Sequence, residues 1–131
     1  MTRVETALQN HKKGYNCAQA VLCAFADKTD FTEDELFRLS EAFGAGMGNN
    51  KGVCGAVSAM IFLAGLKNSA GVDKLPETNK KQSYAVASEL YNAFENMNST
   101  VICEELKSSG HRSCDGCIED AVRILEENIF E

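Results

Sequence analysis

An uncharged run of 15 residues, from Gly52 to Leu66, constrains the fold of this chain more than any other feature. Its residues, GVCGAVSAMIFLAGL, are almost all apolar or small. A run of this length is too short to cross a bilayer and is typical of a helix buried in a protein core. Gly55 and Ala59 lie one turn apart, so one side of the helix lets another backbone approach closely. We therefore expect residues 52–66 to form the central helix.

Cys54 lies at the leading end of this run. Gly52 leaves the chain free to turn just before it, which would place Cys54 in the first helical turn. Backbone N–H groups there lack helical partners, and the positive end of the helix dipole lies beside them. Both features favour a thiolate over a thiol. Cys54 is therefore a candidate reactive or metal-binding residue, although a free cysteine is also a common small core residue.

Length and composition indicate one globular domain, 1–131, because 131 residues with 44% hydrophobic content suit a single core. The net charge of −6 argues against nucleic acid as a partner, since phosphate binding needs a basic patch. The first residues, MTRVETALQNHKK, lack the apolar core of a secretory signal, and no segment is long enough to span a membrane. We therefore expect a cytoplasmic protein with no membrane partner.

That expected location changes what the six cysteines mean. In a reducing compartment, cysteines are more often metal ligands or redox groups than structural disulfides. Composition alone does not choose between these two roles.

Several helix starts can be read from capping residues. Thr2 and Thr32 each precede a glutamate by three residues, which is the spacing of a capping box, and Asn16 and Ser113 can cap two more helices. No run indicates a strand. The sequence predicts an all-α, single-domain bundle of about six helices around the buried central helix. The other expected helices are one ending by Gly14, then 17–27, 33–43, a long one from Glu77, a short one around Cys103 and one over 114–128.

The long helix that begins at Glu77 carries an apolar face about four turns long. Tyr84, Ala87, Tyr91 and Phe94 recur at three- and four-residue steps along it. Such a face predicts core packing or a subunit contact. With the apolar central helix, it suggests a homodimer.

Three alternating glycines lie between the third helix and the central helix, in the segment FGAGMG, residues 43–48. A nucleotide-binding loop is disfavoured because no strand precedes these glycines and no GKS or GKT follows. A tight turn that presents backbone N–H groups to an anion, such as a group of thiolates, fits the pattern better. The candidate backbone positions are Gly46, Gly48 and, in the central helix, Gly55.

Four cysteines fall within one turn of an expected helix start: Cys17, Cys54, Cys103 and Cys114. If these helix ends converge, their thiolates would lie near one point, where they could bind a metal or cluster or exchange electrons as a dithiol. Cys23 follows Cys17 by six residues, which turns it about 120° away on the same helix, so we interpret it as a core residue.

Cys114 and Cys117 also form a CxxC motif. A single motif of this kind is moderate evidence, because it can be half of a zinc site or a redox pair, and no second one is present.

The cysteine-bearing segments resemble the C_GCAxxG_C_C family, which is named for its cysteine pattern and described as redox-active. A related region occurs in split-Soret cytochrome c, so the resemblance implies a helical fold compatible with electron transfer. The chain has no CxxCH and therefore no covalent haem site. The segments that carry the resemblance are 16–21 (NCAQAV), 43–48 (FGAGMG), 53–59 (VCGAVSA), 103–106 (CEEL), and Cys114 ahead of 120–125 (DAVRIL).

Two positions depart from the family pattern. Ala59 stands where the central motif closes with glycine, a change of one methyl group that a helix tolerates. Cys117 is an additional cysteine, so either Cys114 or Cys117 could be the last cysteine of the pattern. Its distance from 120–125 favours Cys114.

Three functions follow from these observations. The leading one is electron transfer with an unidentified redox partner, through an iron–sulfur cluster or other metal held by Cys17, Cys54, Cys103 and Cys114, with Cys117 as a substitute ligand. The second is a metal-free thiol–disulfide oxidoreductase that uses Cys54 with Cys17, or the Cys114 and Cys117 pair. The third is a structural zinc-binding or helical interaction module.

Overall fold

The structure is a computed structural model that describes residues 1–108 and 110–130. Within those residues, seven α-helices of six residues or more make up the fold, and the one β-type pairing is an isolated antiparallel bridge between Val53 and Ile102. The expected all-α class is confirmed. The helices are α1 (Arg3–Lys12), α2 (Cys17–Ala24), α3 (Glu33–Ser40), α4 (Gly55–Asn68), α5 (Lys80–Asn98), α6 (Cys103–Ser108) and α7 (Cys114–Asn128).

Short polar caps start these helices where the sequence predicted them. Thr2, Asn16 and Thr32 each form a full capping box at the start of α1, α2 and α3. Ser113 caps α7 by accepting a hydrogen bond from the N–H of Gly116. A cap of this kind stabilises a helix by about 1 kcal/mol, so these residues fix where Cys17 and Cys114 enter their helices.

Helix α4 is the centre of the core. It packs against α2 and α5, while α1 packs against α2 and α7. Val57, Met60 and Leu63 of α4 are almost completely buried, as are Phe25 and Phe94 from the chain around it. Each such side chain contributes roughly 1.5–3 kcal/mol through burial, so the apolar run acts as the core element that its composition predicted.

The expected start of α4 was wrong by three residues. Gly52 and Val53 are not helical, because they pair with the chain before α6 instead: Cys54 N–H donates to Val101 O at 2.7 Å, and Cys103 N–H donates to Gly52 O at 3.0 Å. Cys54 is therefore the N-cap residue of α4, with φ −49° and ψ 134°, and not a residue of its first turn.

Other helix ends differ from the expected bounds by a few residues. The ends of α2 and α3 give way to short 3₁₀ segments, Ala26–Lys28 and Glu41–Phe43, which are common at helix ends. Helix α5 begins at Lys80, three residues after Glu77. No helix in the described part of the chain is both long enough and apolar enough to span a membrane.

The glycine segment forms a tight left-handed turn between α3 and α4. Ala45, Gly46 and Gly48 all have positive φ, at 52°, 56° and 77°. Gly46 lies directly against Cys103, since an added Cβ would be 2.4 Å from the Cβ of Cys103. The turn is thus tight and packs against a cysteine through Gly46, while the N–H of Gly48 donates to Gly44 O at 2.9 Å.

Candidate functional site: a buried cysteine cluster

Five thiols from four helices surround one small void of about 10 Å³. The void has about the volume that one water molecule needs. The residues that line it, besides Leu106, Ala45 and Gly55, are Cys17, Cys54, Cys103, Cys114, Cys117, Lys107 and Arg112. The structure therefore brings together all four cysteines predicted to converge, and Cys117 with them. We call these five residues the cysteine cluster.

Cys54 is the most activated thiol of the cluster. Its pKa is lowered from the ordinary thiol value to about 7, first by a hydrogen bond from the thiol of Cys117. Burial opposes this shift, and the backbone N–H groups of Ala56 and Val57 and the charge of Lys107 add to it. The N–H groups belong to the first turn of α4, so the N-terminus of the central helix stabilises the thiolate.

Cys117 is the partner of Cys54. Its pKa is raised because its thiol proton is held in the hydrogen bond to Cys54, and because it is buried, with 3% of its surface exposed. Cys117 N–H donates to Ser113 O at 3.0 Å, so the start of α7 fixes its position. When this pair loses its first proton, the two sulfurs share the remaining one, with the negative charge on Cys54.

Cys17 and Cys114 form a second pair nearer the surface. Both are partly exposed, whereas Cys54, Cys103 and Cys117 are buried. Burial is the main cause that raises the pKa of Cys17, and the neighbouring sulfurs of Cys114 and Cys54 raise it further. Cys17 also donates its proton to Cys114 in a hydrogen bond. The cluster is thus two thiol pairs, an inner one and an outer one.

Cys103 is the fifth thiol and is not part of either pair. It is 4% exposed, and burial raises its pKa, while Lys107 pulls the pKa down. Its sulfur lies 3.8 Å from Oδ1 of Asn50. The bridge between Val53 and Ile102 holds Cys103 at a fixed position relative to Cys54.

Two basic residues lie beside the thiols. Burial lowers the pKa of Lys107, but the sulfurs of Cys114, Cys103 and Cys17 raise it more, so Lys107 is charged and attracts thiolates. Arg112 makes two hydrogen bonds to Asp120, Nε to Oδ2 at 3.0 Å and Nη2 to Oδ1 at 2.9 Å.

Arg112 crosses the start of α7 between the two cysteines of the CxxC motif. Its side chain lies over Gly116, where an added Cβ would be 2.4 Å from Nε. Asp120 is buried and also accepts a hydrogen bond from Asn98 at 3.2 Å. This contact ties the start of α7, and with it Cys114 and Cys117, to α5.

The donor chemistry of the cluster suits an iron–sulfur cluster or zinc, because thiolates are the preferred ligands of both. The arrangement of these thiols, however, does not suit either group. In the described residues, no three cysteine, histidine, aspartate or glutamate side chains are placed to hold one metal ion. All six cysteines are free thiols, and a water-sized void has no room for a cluster unless the thiols move apart.

The remaining candidate residues fall in different places. Gly55 lines the void, Gly46 packs behind Cys103, and Gly48 is exposed and does not reach the thiols. Cys23 lies outside the cluster, where its thiol faces Glu33 O at 3.7 Å.

The sequence analysis missed both basic residues of the site. Lys107 follows Cys103 by four residues, the spacing that places two side chains on one helix face, and this signal could have identified it. Arg112 lies in a polar loop, and the sequence alone gives no signal for its contact with Asp120.

The fold and the site define an all-α protein with a buried cluster of cysteine thiols at the meeting point of several helix N-termini. Residues 15–128 match the family described as "Putative redox-active protein (C_GCAxxG_C_C)", and the chain belongs to this family. The matched region contains all five residues of the cysteine cluster. No curated protein and no solved structure matches the chain.

Proposed function

We propose that the protein is a thiol-based redox carrier in which Cys54 and Cys117 alternate between a dithiol and a disulfide. The hydrogen bond from the Cys117 thiol to the Cys54 sulfur carries this proposal. It supplies a thiolate and an adjacent thiol, the two groups that disulfide exchange requires. Membership of a family described as redox-active supports the same chemistry.

The oxidant in this proposal is a disulfide of a partner molecule, and it enters at the outer pair. Cys17 and Cys114 are partly exposed, whereas the inner pair is buried and cannot be reached directly. One outer thiolate attacks the partner disulfide, which forms a mixed disulfide and releases one partner thiol. The other outer thiol then attacks the protein sulfur of that mixed disulfide, which releases the second partner thiol and leaves a Cys17–Cys114 disulfide.

The inner pair then takes over the oxidation. The Cys54 thiolate attacks the outer disulfide and frees one outer thiol, and Cys117 then attacks Cys54 and frees the other. The result is a Cys54–Cys117 disulfide, with two electrons and two protons passed in total to the partner. The four cysteines of the two pairs line the same small void, and this closeness supports a transfer between the pairs. A reducing compartment such as the cytoplasm would return all four thiols.

Metal binding is the second candidate, and the convergence of five thiols from four helices favours it. Cys17, Cys54, Cys103 and Cys114 would be the ligands, with Cys117 as a substitute for Cys114. A bound iron–sulfur cluster would supply one-electron transfer. Since the present spacing of the thiols does not fit such a group, we derive no step through it.

An anaerobic preparation distinguishes the candidates. We would measure iron, zinc and sulfide, record the visible spectrum, and titrate the thiols against a dithiol redox buffer, locating any disulfide by mass spectrometry. The dithiol proposal expects a colourless, metal-free protein with a reversible Cys54–Cys117 disulfide.

Other results of this experiment would contradict the dithiol proposal. Iron with sulfide and a broad visible band would establish the second candidate in its place, and zinc without reversible thiols would indicate a structural module. Cys23→Ser is the matched control, because it removes a buried thiol outside the cluster and should change none of these results.

A further inference from the structure

Lys107 lies where the oxidant of the proposed function would enter the site. The residue is exposed to solvent and also lines the thiol void, together with the outer pair, Cys17 and Cys114. Burial lowers the pKa of Lys107, but the charges of Cys114, Cys103 and Cys17 raise it more, which agrees with this closeness. A molecule that reaches the outer thiols from solvent therefore passes beside the ammonium group of Lys107.

Lys107 has donors to spare for such a molecule. An ammonium group carries three N–H donors. Within the part of the chain that the structure describes, Lys107 donates a hydrogen bond to the sulfur of Cys103, and no carboxylate forms an ion pair with it. Arg112, the other cation that lines the void, differs because both oxygens of Asp120 accept hydrogen bonds from it and compensate its charge.

Two carboxylates lie next to cluster cysteines in the chain, but neither lines the void. They are Glu104, which follows Cys103, and Asp115, which follows Cys114. Oδ1 of Asp115 lies 2.6 Å from Nδ1 of His11, so this side chain is turned towards α1. Among the described residues that line the void, Lys107 thus carries the charge that no carboxylate compensates.

The overall charge of the chain acts in the opposite direction. With a net charge of −6, the protein as a whole repels anions. The pairing of one exposed lysine with one anion is short-range, and it changes a rate or an affinity by up to about fivefold. The effect of Lys107 is therefore greatest for a molecule small enough to place an anionic group beside the lysine and a disulfide beside an outer sulfur.

We propose that the oxidant is a small organic disulfide that carries a carboxylate, and that Lys107 binds this carboxylate while an outer thiolate attacks the disulfide. The inference rests on the proposed function, of which it names the substrate class. The attack breaks the S–S bond of the substrate and joins one of its halves to the protein, while the other half leaves as a thiolate and takes up a proton. The second outer thiol then releases the first half, which gives two carboxylate-bearing thiols and one Cys17–Cys114 disulfide.

Three small disulfides that differ mainly in charge provide the test. Dithiodipropionate carries carboxylates, hydroxyethyl disulfide is neutral, and cystamine carries ammonium groups. The reduced, metal-free, full-length protein is mixed with each reagent at neutral pH and low ionic strength, and the rate of thiol oxidation is followed by alkylation and mass spectrometry. Comparison of the same reagent between protein variants cancels the intrinsic reactivity of that reagent.

The expected result is a change in the ratio of the dithiodipropionate rate to the cystamine rate. Lys107→Gln should lower this ratio about tenfold, because the anion reacts about threefold more slowly and the cation about threefold faster. A general loss of thiol reactivity would slow all three reagents equally and leave the ratio unchanged. Lys107→Arg keeps the charge and should keep the ratio, whereas high salt should reduce the ratio of the unmodified protein.

Lys28→Gln is the matched control, because it removes an exposed lysine outside the cluster and should leave the ratio unchanged. If hydroxyethyl disulfide oxidises the thiols but Lys107→Gln has the same ratio as the unmodified protein, this inference is wrong and the proposed function still stands. If none of the three reagents oxidises the thiols, the proposed function is wrong and the inference fails with it.

Discussion

Cys23 and Cys54 are both buried cysteines, with 6% and 4% of their surfaces exposed, yet their pKa values shift in opposite directions. The pKa of Cys23 is raised to about 11, mainly by burial and then by the nearby charge of Glu33. The pKa of Cys54 is lowered to about 7 despite its burial. Burial therefore does not decide which cysteine is reactive; the groups around the sulfur do.

The position of each cysteine in its helix explains the difference. Cys23 is near the end of α2, and its thiol faces a carbonyl oxygen, so it donates and keeps its proton. Cys54 caps the start of α4, where the Cys117 thiol and two backbone N–H groups face its sulfur. A sulfur surrounded by donors loses its proton more easily.

The largest contrast is expected between the two serine variants. Cys54→Ser should abolish the thiolate present at neutral pH and prevent the inner disulfide completely. Cys23→Ser should leave both unchanged, because Cys23 is protonated at that pH. Ultraviolet thiolate absorbance and redox titration of the metal-free protein provide the measurement. Equal losses in the two variants would mean that burial and not local donors governs these thiols.

Replacement of Cys117 tests the strongest donor. Cys117→Ala should move the pKa of Cys54 toward the ordinary thiol value of about 8.5, which reduces the thiolate fraction at pH 7 roughly tenfold. Cys117→Ser keeps a hydroxyl donor and should preserve much of the thiolate, although it cannot form the disulfide. A pH titration of both variants would contradict this assignment if alanine and serine gave the same pKa for Cys54.

Stability against pH should distinguish the two cysteines as well. The folded pKa of Cys23 is raised, so above about pH 8.5 the unfolded chain loses a proton that the folded chain keeps. The free energy of unfolding then falls by up to about 1.4 kcal/mol per pH unit for this thiol, until the pH passes about 11. Cys23→Ser should make this alkaline loss less steep.

Cys54 should have the opposite effect on stability. Its folded pKa is lowered, so its contribution is complete above about pH 8.5 and is lost as the pH falls through about 7. Cys54→Ser should remove that dependence and leave the alkaline loss in place. Denaturant unfolding at several pH values, in reducing buffer, measures both; identical profiles for the two variants would count against the assigned pKa directions.

Much of this arrangement follows from local sequence signals. The caps Thr2, Asn16, Thr32 and Ser113 fix helix starts, and the uncharged run identifies α4, because both depend on short-range chemistry and composition. The same signals predicted that four cysteines begin helices or lie beside their first turn. The convergence of those helix starts is a tertiary property, and the resemblance to a cysteine-named family suggested it before the fold was known.

The features that the sequence did not predict depend on contacts distant in the chain. Cys54 is a cap because residues 52–54 pair with the chain before α6, almost 50 residues later. The pairing of Cys54 with Cys117, in place of Cys17, depends on how α7 packs against α4. Arg112 is held by Asp120 of α7, and Asp120 in turn accepts a hydrogen bond from Asn98 of α5. No periodicity or spacing within one segment reports such contacts.

Lys107 allows the smallest and most specific test of the comparison between Cys54 and Cys23. Its charge is the last of the causes that lower the pKa of Cys54, after the Cys117 hydrogen bond and the N–H groups of Ala56 and Val57. Lys107→Gln should therefore raise the pKa of Cys54 only slightly and reduce its thiolate about twofold to threefold at pH 7.

High salt should reproduce part of the loss in the unmodified protein, because Lys107 is exposed and its charge is screened. Lys28→Gln, which removes an exposed charge outside the cluster, is the control and should have no effect. A tenfold loss in Lys107→Gln would show that the lysine, and not the helix start, provides the main stabilisation of the thiolate.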